Sequence, residues 1–174
     1  MMRSGRRVAV AVLGVLLALP FLRVELATAL VMRGDQQWER GNLGGAMTSY
    51  LRSWSLDGSA LDVDRLAIMA LAQRRQRALS AVLALEDAYL ARHPGDAHIL
   101  LDRARCRRRA GRLLGAERDF VRAGRIGHDP RAFAFAGYLA SHQGRARQAH
   151  AYFARALALH PGYLPALDGL RQLR

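Results

Sequence analysis

The sequence predicts an all-α protein, an α-solenoid of antiparallel helix pairs. Two observations carry this prediction. Alanine and leucine are abundant and aromatic residues make up only 7% of the 174 residues, which favours helices packed through small side chains over a β-sheet. One unit of helix, tight turn and helix also recurs after an apolar N-terminal segment, and its clearest copy runs from Pro130 to Pro161. A chain of this length can bury a sizeable core without a disulfide.

Gly144 marks the predicted turn of the clearest unit. A small residue lies seven positions before it, an alanine five after and an aromatic residue nine after, followed by another alanine and a proline. These residues are Gly137, Ala149, Phe153, Ala156 and Pro161. The same offsets recur around Gly111, Gln76 and Gly41, so four units follow one another at spacings of 35, 35 and 33 residues.

These offsets resemble those of tetratricopeptide repeats, which have about 34 residues per unit. The resemblance extends from about Ala27 to the C-terminus. It implies that the small residues let paired helices approach closely and that the aromatic residue fills the gap above them. It also implies binding of peptides along a concave surface lined by the first helix of each pair. The degenerate second unit fits through Met69, Ala81, Leu85 and Ala88, or in a register shifted by one residue.

The predicted domain organisation follows from these units. Residues 1–26 form a basic flank and membrane anchor, and the repeat domain spans residues 27–174. Its units lie at about 27–61, 62–96, 97–129 and 130–162, with a capping helix at 163–174. We expect Asp96 to cap one helix, Pro130 to occupy a first helical turn, and Leu164, Leu167 and Leu170 to form the apolar side of the cap.

The N-terminus has the pattern of a signal anchor or signal peptide. Three arginines within the first seven residues precede fifteen uncharged, mostly apolar residues from Val8 to Leu22. A helix of that length is about 22 Å long, so a single span requires extension to about Leu30. The alternative is a signal peptide cleaved after the small-x-small pattern Ala27-Thr28-Ala29, which would leave a soluble periplasmic adaptor beginning at Leu30. We favour a retained single-pass anchor in a bacterial inner membrane, with the repeat domain outside the cytoplasm.

The charge of the chain predicts an anionic partner. Twenty-seven arginines face 14 carboxylates, which gives a formal charge of +13. Helical spacing places arginines on the groove face of the predicted first helices, together with an aromatic and a histidine. The predicted partner-binding residues are Arg74, Arg105, Arg108, Arg109, Tyr138 and His142. Because guanidinium groups hold carboxylates well, we expect an acidic peptide or protein, although a purely solvated face is the alternative.

Other functions have weaker support in the sequence. Nine arginines between Arg103 and Arg125 would suit nucleic acid or an anionic leaflet if the domain were cytoplasmic, but no aromatic platform lies among them. No motif of an enzyme, metal site or cofactor site is present, so we expect none of these. Cys106, the single cysteine, is expected to be a packing residue. The predicted function is therefore that of a membrane-anchored adaptor or scaffold in an envelope complex.

Overall fold

The computed structural model describes the backbone of residues 2–59, 64–68 and 76–173, and within these ranges the side chains from residue 19 to 59, 64 to 68 and 79 to 173. The described residues contain no β-strand. Residues 64–68 are helical, and the longer helices are α1 (Met2–Glu39), α2 (Leu43–Asp57), α3 (Gln76–Arg92), α4 (Ala97–Arg109), α5 (Leu113–Gly127), α6 (Pro130–His142), α7 (Ala146–Leu159) and α8 (Leu164–Gln172). The chain divides into two compact units, Met1–Leu66 and Ala67–Arg174.

The first unit is an antiparallel pair formed by α1 and α2. The Tyr50 ring lies so close to Gly34 that a Cβ atom there would collide with it. Farther along α2, the Ser53 hydroxyl donates a hydrogen bond to the carbonyl oxygen of Ala27 (3.0 Å). The chain reverses at Gly41, which has a φ of 75°. A glycine is favoured there because other residues rarely adopt a positive φ.

The predicted membrane segment, from Val8 to Leu30, falls within α1. Its first eleven side chains, up to residue 18, lie outside the described residues. Within the described residues, no helix combines the length and the apolar character needed to cross a bilayer. The membrane anchor therefore stays a prediction.

The second unit is built around aromatic residues that fill gaps left by small ones. Phe153 of α7 is fully buried, and its ring would lie 2.6 Å from a Cβ atom at Gly137 of α6. Ala149 and Ala156 are also fully buried beside it. Phe120 occupies the matching position of α5 and stacks on Phe135, with ring centroids 5.3 Å apart. Small residues thus set the spacing of the helices, as the repeat offsets predict.

The ends of the helices follow the sequence expectations. The Asp96 carboxylate accepts hydrogen bonds from the backbone N–H groups of His98 and Ile99 and so caps α4. Pro130 occupies the first turn of α6, where a residue without an N–H costs no intrahelical hydrogen bond. Gly111 and Gly144 both have a positive φ in the turns before α5 and α7.

The buried positions of α3 are shifted by one residue from those expected from the repeat offsets through Ala81, Leu85 and Ala88. Ala81 and Ala88 are exposed, whereas Val82 and Tyr89 are buried. The shift places Glu86 at the position that Tyr50, Phe120 and Phe153 occupy in the other pairs. A sequence template built on aromatic residues misses this position because a carboxylic acid fills it.

The buried face of α8 differs from the prediction in part. Its buried residues are Ala166 and Gly169, which lie against Phe153 and its neighbours. Leu164, predicted to be on the apolar side, is 67% exposed. Close packing against a large ring favours small side chains at this contact. Leu170 is half-buried and packs against the same cluster, so the leucine pattern holds at Leu170 and fails at Leu164.

Candidate protein-interaction surface

The predicted groove arginines of α4 have three different environments. The Arg105 guanidinium lies 2.8 Å from the Asp102 carboxylate, which is buried, and the Arg105 side chain is 41% exposed. The Arg108 guanidinium lies over the Phe135 ring, 5.9 Å from its centroid. Arg109 is exposed and forms no ion pair with a described residue. Arg108 and Arg109 are therefore the cations of this face that a partner can reach most easily.

The predicted site residues outside α4 are not all placed for binding. The Tyr138 hydroxyl donates a hydrogen bond to the Pro165 carbonyl oxygen (2.6 Å), and its ring packs edge-on against Phe153. Burial raises the pKa of the Tyr138 phenol. Tyr138 thus fastens α8 to α6. His142 is exposed at the end of α6, and Arg74 lies outside the described residues.

Two further arginines of α4 belong to a structural ion-pair network. The buried Asp119 carboxylate accepts two hydrogen bonds from Arg103 (2.9 and 2.7 Å) and one from Arg107 (2.7 Å). Both arginines also reach Asp87 on α3, at 2.8 and 2.9 Å. These guanidinium groups connect α3, α4 and α5, so they are already engaged within the fold.

Arg145 completes a second network between α5 and α7. Its guanidinium donates two hydrogen bonds to the buried Glu117 carboxylate, one of them at 3.1 Å. Gln148 and the Tyr152 hydroxyl also donate to Glu117, each at 3.0 Å. Hydrogen bonding to Glu117 raises the pKa of Arg145. The buried carboxylate is therefore well satisfied.

A separate set of exposed arginines lies on α5. In the sequence they belong to the run Arg103–Arg125, which suggested nucleic acid or an anionic leaflet and not a groove. Arg118, Arg122 and Arg125 are exposed and form no ion pair with a described residue. Their spacing of four and three residues is the signal that could have revealed one helical face. They line a groove of about 610 Å³ between α5 and α7.

A buried thiol and a buried carboxyl group lie next to each other between α3 and α4. Cys106 is fully buried, and burial raises the pKa of its thiol, so a thiolate is strongly disfavoured. Glu86 beside it is also fully buried, and burial raises the pKa of that carboxyl to about 9. The environment of Cys106 agrees with the packing role expected from the sequence.

Helix pairs with glycine turns, small residues on the first helix and an aromatic residue on the second define a tetratricopeptide-type fold. Solved structures agree. MamA superimposes with a TM-score of 0.73 at 14% identity over 86% of this chain and 81% of MamA. A tetratricopeptide repeat protein from Parabacteroides merdae gives 0.70 at 20% identity over 86% of this chain and 59% of the other. PilF from Pseudomonas aeruginosa gives 0.65 at 20% identity over 87% and 68%.

These likenesses show an all-α fold of the tetratricopeptide kind. No protein-family profile matches the sequence. No curated protein matches it either.

Proposed function

We propose that this protein is a tetratricopeptide-type adaptor that binds an acidic segment of a partner protein on the arginine face of α4. This face comprises Arg105, Arg108 and Arg109, and the exposed His142 of α6 belongs to the same predicted site. The fold supports a general role as a scaffold for protein–protein interaction. The cationic face supports the acidic character of the partner, because planar guanidinium groups bind carboxylates through paired hydrogen bonds.

The observation that carries this proposal is that some arginines of α4 form ion pairs within the fold whereas others are exposed and available to a partner. Arg103 and Arg107 are engaged by buried or nearby carboxylates, which fix the helix in place. Arg108 and Arg109 remain exposed at its C-terminal end. Exposed cations on a rigid helix lose little conformational freedom of the backbone when they bind, so this face is preorganised for a partner.

We further propose that the segment Val8–Leu30 holds the protein in the bacterial inner membrane with the helix pairs outside the cytoplasm. The uncharged run of the sequence supports this placement. Phe21, Leu22 and Val24 support it too, because each exposes more than half of its surface on α1. Apolar groups in contact with water are costly, and lipid would relieve that cost.

Site-specific crosslinking tests the binding face. A photoreactive amino acid replaces Arg109 in the full chain, and a control variant carries it at Arg155, an exposed arginine of α7. We expect the first variant to capture a protein with an acidic segment in native membranes, and the capture to disappear when Arg108→Glu is added. Equal capture from both positions, or capture that is insensitive to Arg108→Glu, would contradict the proposal.

A further inference from the structure

The groove between α5 and α7 differs from the α4 face in both composition and shape. Leu114, Arg118, Arg122 and Arg125 form one strip along α5, which we call the α5 strip. Their separations of four, four and three residues keep them on one side of the helix over about 16 Å. A second concavity of about 540 Å³ shares Leu114 and Arg118 with the groove and extends it.

The arginines of the α5 strip are available to a ligand. Arg118, Arg122 and Arg125 are exposed and form no ion pair with a described residue. The Arg145 guanidinium on the opposite wall is held by Glu117. The groove therefore carries an uncompensated positive charge along one wall, and a ligand that enters it must be anionic to be stabilised there.

The groove also presents apolar surface to its occupant. Leu114 is 64% exposed although it lies on a well-packed helix. Val121 and Tyr152 are half-buried between the two walls. An apolar side chain that inserts here would remove these apolar surfaces from water, whereas a ligand with charged groups alone would leave them exposed. The combination matches a segment that carries both carboxylates and an apolar residue.

We propose that this groove is a second docking site, which binds an acidic, amphipathic helical segment of a partner protein. Carboxylates spaced by three or four residues on that helix would meet the three arginines of the α5 strip, and an apolar residue between them would contact Leu114 and Val121. The domain would then hold two acidic segments at once, one on α4 and one between α5 and α7.

The shape of the groove favours a peptide over other polyanions. A flat lipid surface reaches the tips of exposed arginines but not Val121 and Tyr152, which are half-buried between the walls. Stacking of nucleic acid bases requires an accessible aromatic face. Tyr152 is the aromatic side chain that lines this groove, and it is half-buried, so it does not form a platform on which successive bases could stack.

A crosslinking titration tests this site separately from the α4 face. The full-length chain in detergent carries a photoreactive amino acid in place of Leu114. The probe is a synthetic helical peptide in which glutamates spaced by three or four residues flank one leucine. We expect saturable capture of this peptide, and loss of capture when its glutamates are replaced by glutamines.

Three double variants that each remove two positive charges locate the site. Arg118→Ala with Arg122→Ala should weaken capture about tenfold, because two exposed charge contacts are lost. Arg147→Ala with Arg155→Ala removes the same charge from α7 outside the groove and should leave capture unchanged. Arg108→Ala with Arg109→Ala should also leave it unchanged, which separates this site from the α4 face. Thermal unfolding should be the same for all three variants because each substituted side chain is exposed.

Three outcomes would overturn the proposal. The first is equal weakening by the groove and α7 variants, which would mean that only net charge matters. The second is loss of capture in the α4 variant alone. The third is that vesicles of phosphatidylglycerol or single-stranded DNA, but not the acidic peptide, bind in a way that depends on Arg118 and Arg122.

Discussion

At the scale of single residues, Glu86 is the most unusual feature of the core. Three other helix pairs place an aromatic ring at its position, whereas α3 places a carboxyl group there, fully buried. Burial is the main cause that raises the pKa of Glu86 to about 9, and the nearby Asp102 carboxylate adds to it. Arg103 opposes the shift but does not cancel it. Glu86 is therefore a neutral acid in the folded protein at pH 7.

The first prediction concerns the pH dependence of stability. The unfolded chain releases the Glu86 proton near pH 4.5, and the folded chain keeps it until about pH 9. Between these values the folded state binds the extra proton, so the free energy of unfolding falls as pH rises, by up to about 1.4 kcal/mol per pH unit. We expect Glu86→Gln, which cannot ionise, to reduce this slope and to raise stability at pH 7.

Urea unfolding of the parent and of Glu86→Gln at several pH values between 5 and 8 measures the effect. The difference between variant and parent should widen steadily with pH and should be smallest at the acid end. A constant difference across the window would contradict a neutral Glu86 in the folded state.

Gly137 is the second residue with a sharp constraint. A side chain there would meet the Phe153 ring, since even a Cβ atom would lie within 2.6 Å of it. We expect Gly137→Val to lower the free energy of unfolding by about 3 kcal/mol, because the packed helices cannot open without loss of contacts elsewhere. Gly44→Ala is the control, since a Cβ atom meets nothing within 4 Å at that position. It should be neutral or slightly stabilising in thermal unfolding.

At the scale of elements, two carboxylates, the buried Asp119 and the exposed Asp87, connect successive helices. Asp119 of α5 binds two arginines of α4, and Asp87 of α3 binds the same two arginines. These ion pairs join helices that already pack against each other through small residues and aromatic rings. Removal of Asp119 would leave the mostly buried guanidinium groups of Arg103 and Arg107 without their buried counter-charge, paired only with the exposed Asp87.

The third prediction follows from this network. Asp119→Ala should lower the free energy of unfolding by about 3 kcal/mol, since Asp119 is 4% exposed and serves two arginines. Asp168→Ala is a matched control, because Asp168 pairs with Arg171 in an exposed position on α8. That control should cost no more than about 0.5 kcal/mol. Equal losses in urea unfolding would mean that the network contributes nothing beyond a surface pair.

The helix pairs were largely predictable from the sequence. Which arginines form ion pairs within the fold and which are exposed was not. Turn glycines, small residues and aromatic rings impose local geometry, so their offsets reveal Gly144 and Phe153 directly. Arg103 and Arg107 lie in the same run as Arg108 and Arg109, and nothing local separates them. The distinction comes from carboxylates brought close by folding, such as Asp119, sixteen residues after Arg103.

The candidate site was predicted only in part for the same reason. Arg108 and Arg109 are exposed as expected, but Tyr138 is used to fasten the last helix. The groove beside α5 was not predicted, because the resemblance implies binding on the first helix of each pair and α5 is a second helix. Exposed arginines on a second helix have no fixed position in the repeat that would mark them as a site. The residue-by-residue template also could not anticipate Glu86, since it expects an aromatic ring there.

At the scale of the whole molecule, the position relative to the membrane decides which partners the arginine surfaces can meet. Parallel fusions of alkaline phosphatase and of a fluorescent reporter active only in the cytoplasm, each placed after Arg174, report this position. We expect phosphatase activity without fluorescence, because the uncharged segment with its basic N-terminal flank favours an external repeat domain. Fluorescence alone would contradict the proposed location.

The central claim is that the arginine face of α4 binds acidic segments, and an affinity measurement tests it most directly. The full-length chain in detergent is titrated with a fluorescent, unstructured glutamate-rich peptide, and Arg108→Ala with Arg109→Ala is compared with Arg147→Ala with Arg155→Ala. Arg105 is left intact because it pairs with the buried Asp102. We expect about tenfold weaker binding for the α4 variant only. Equal affinities in the two variants would contradict the claim.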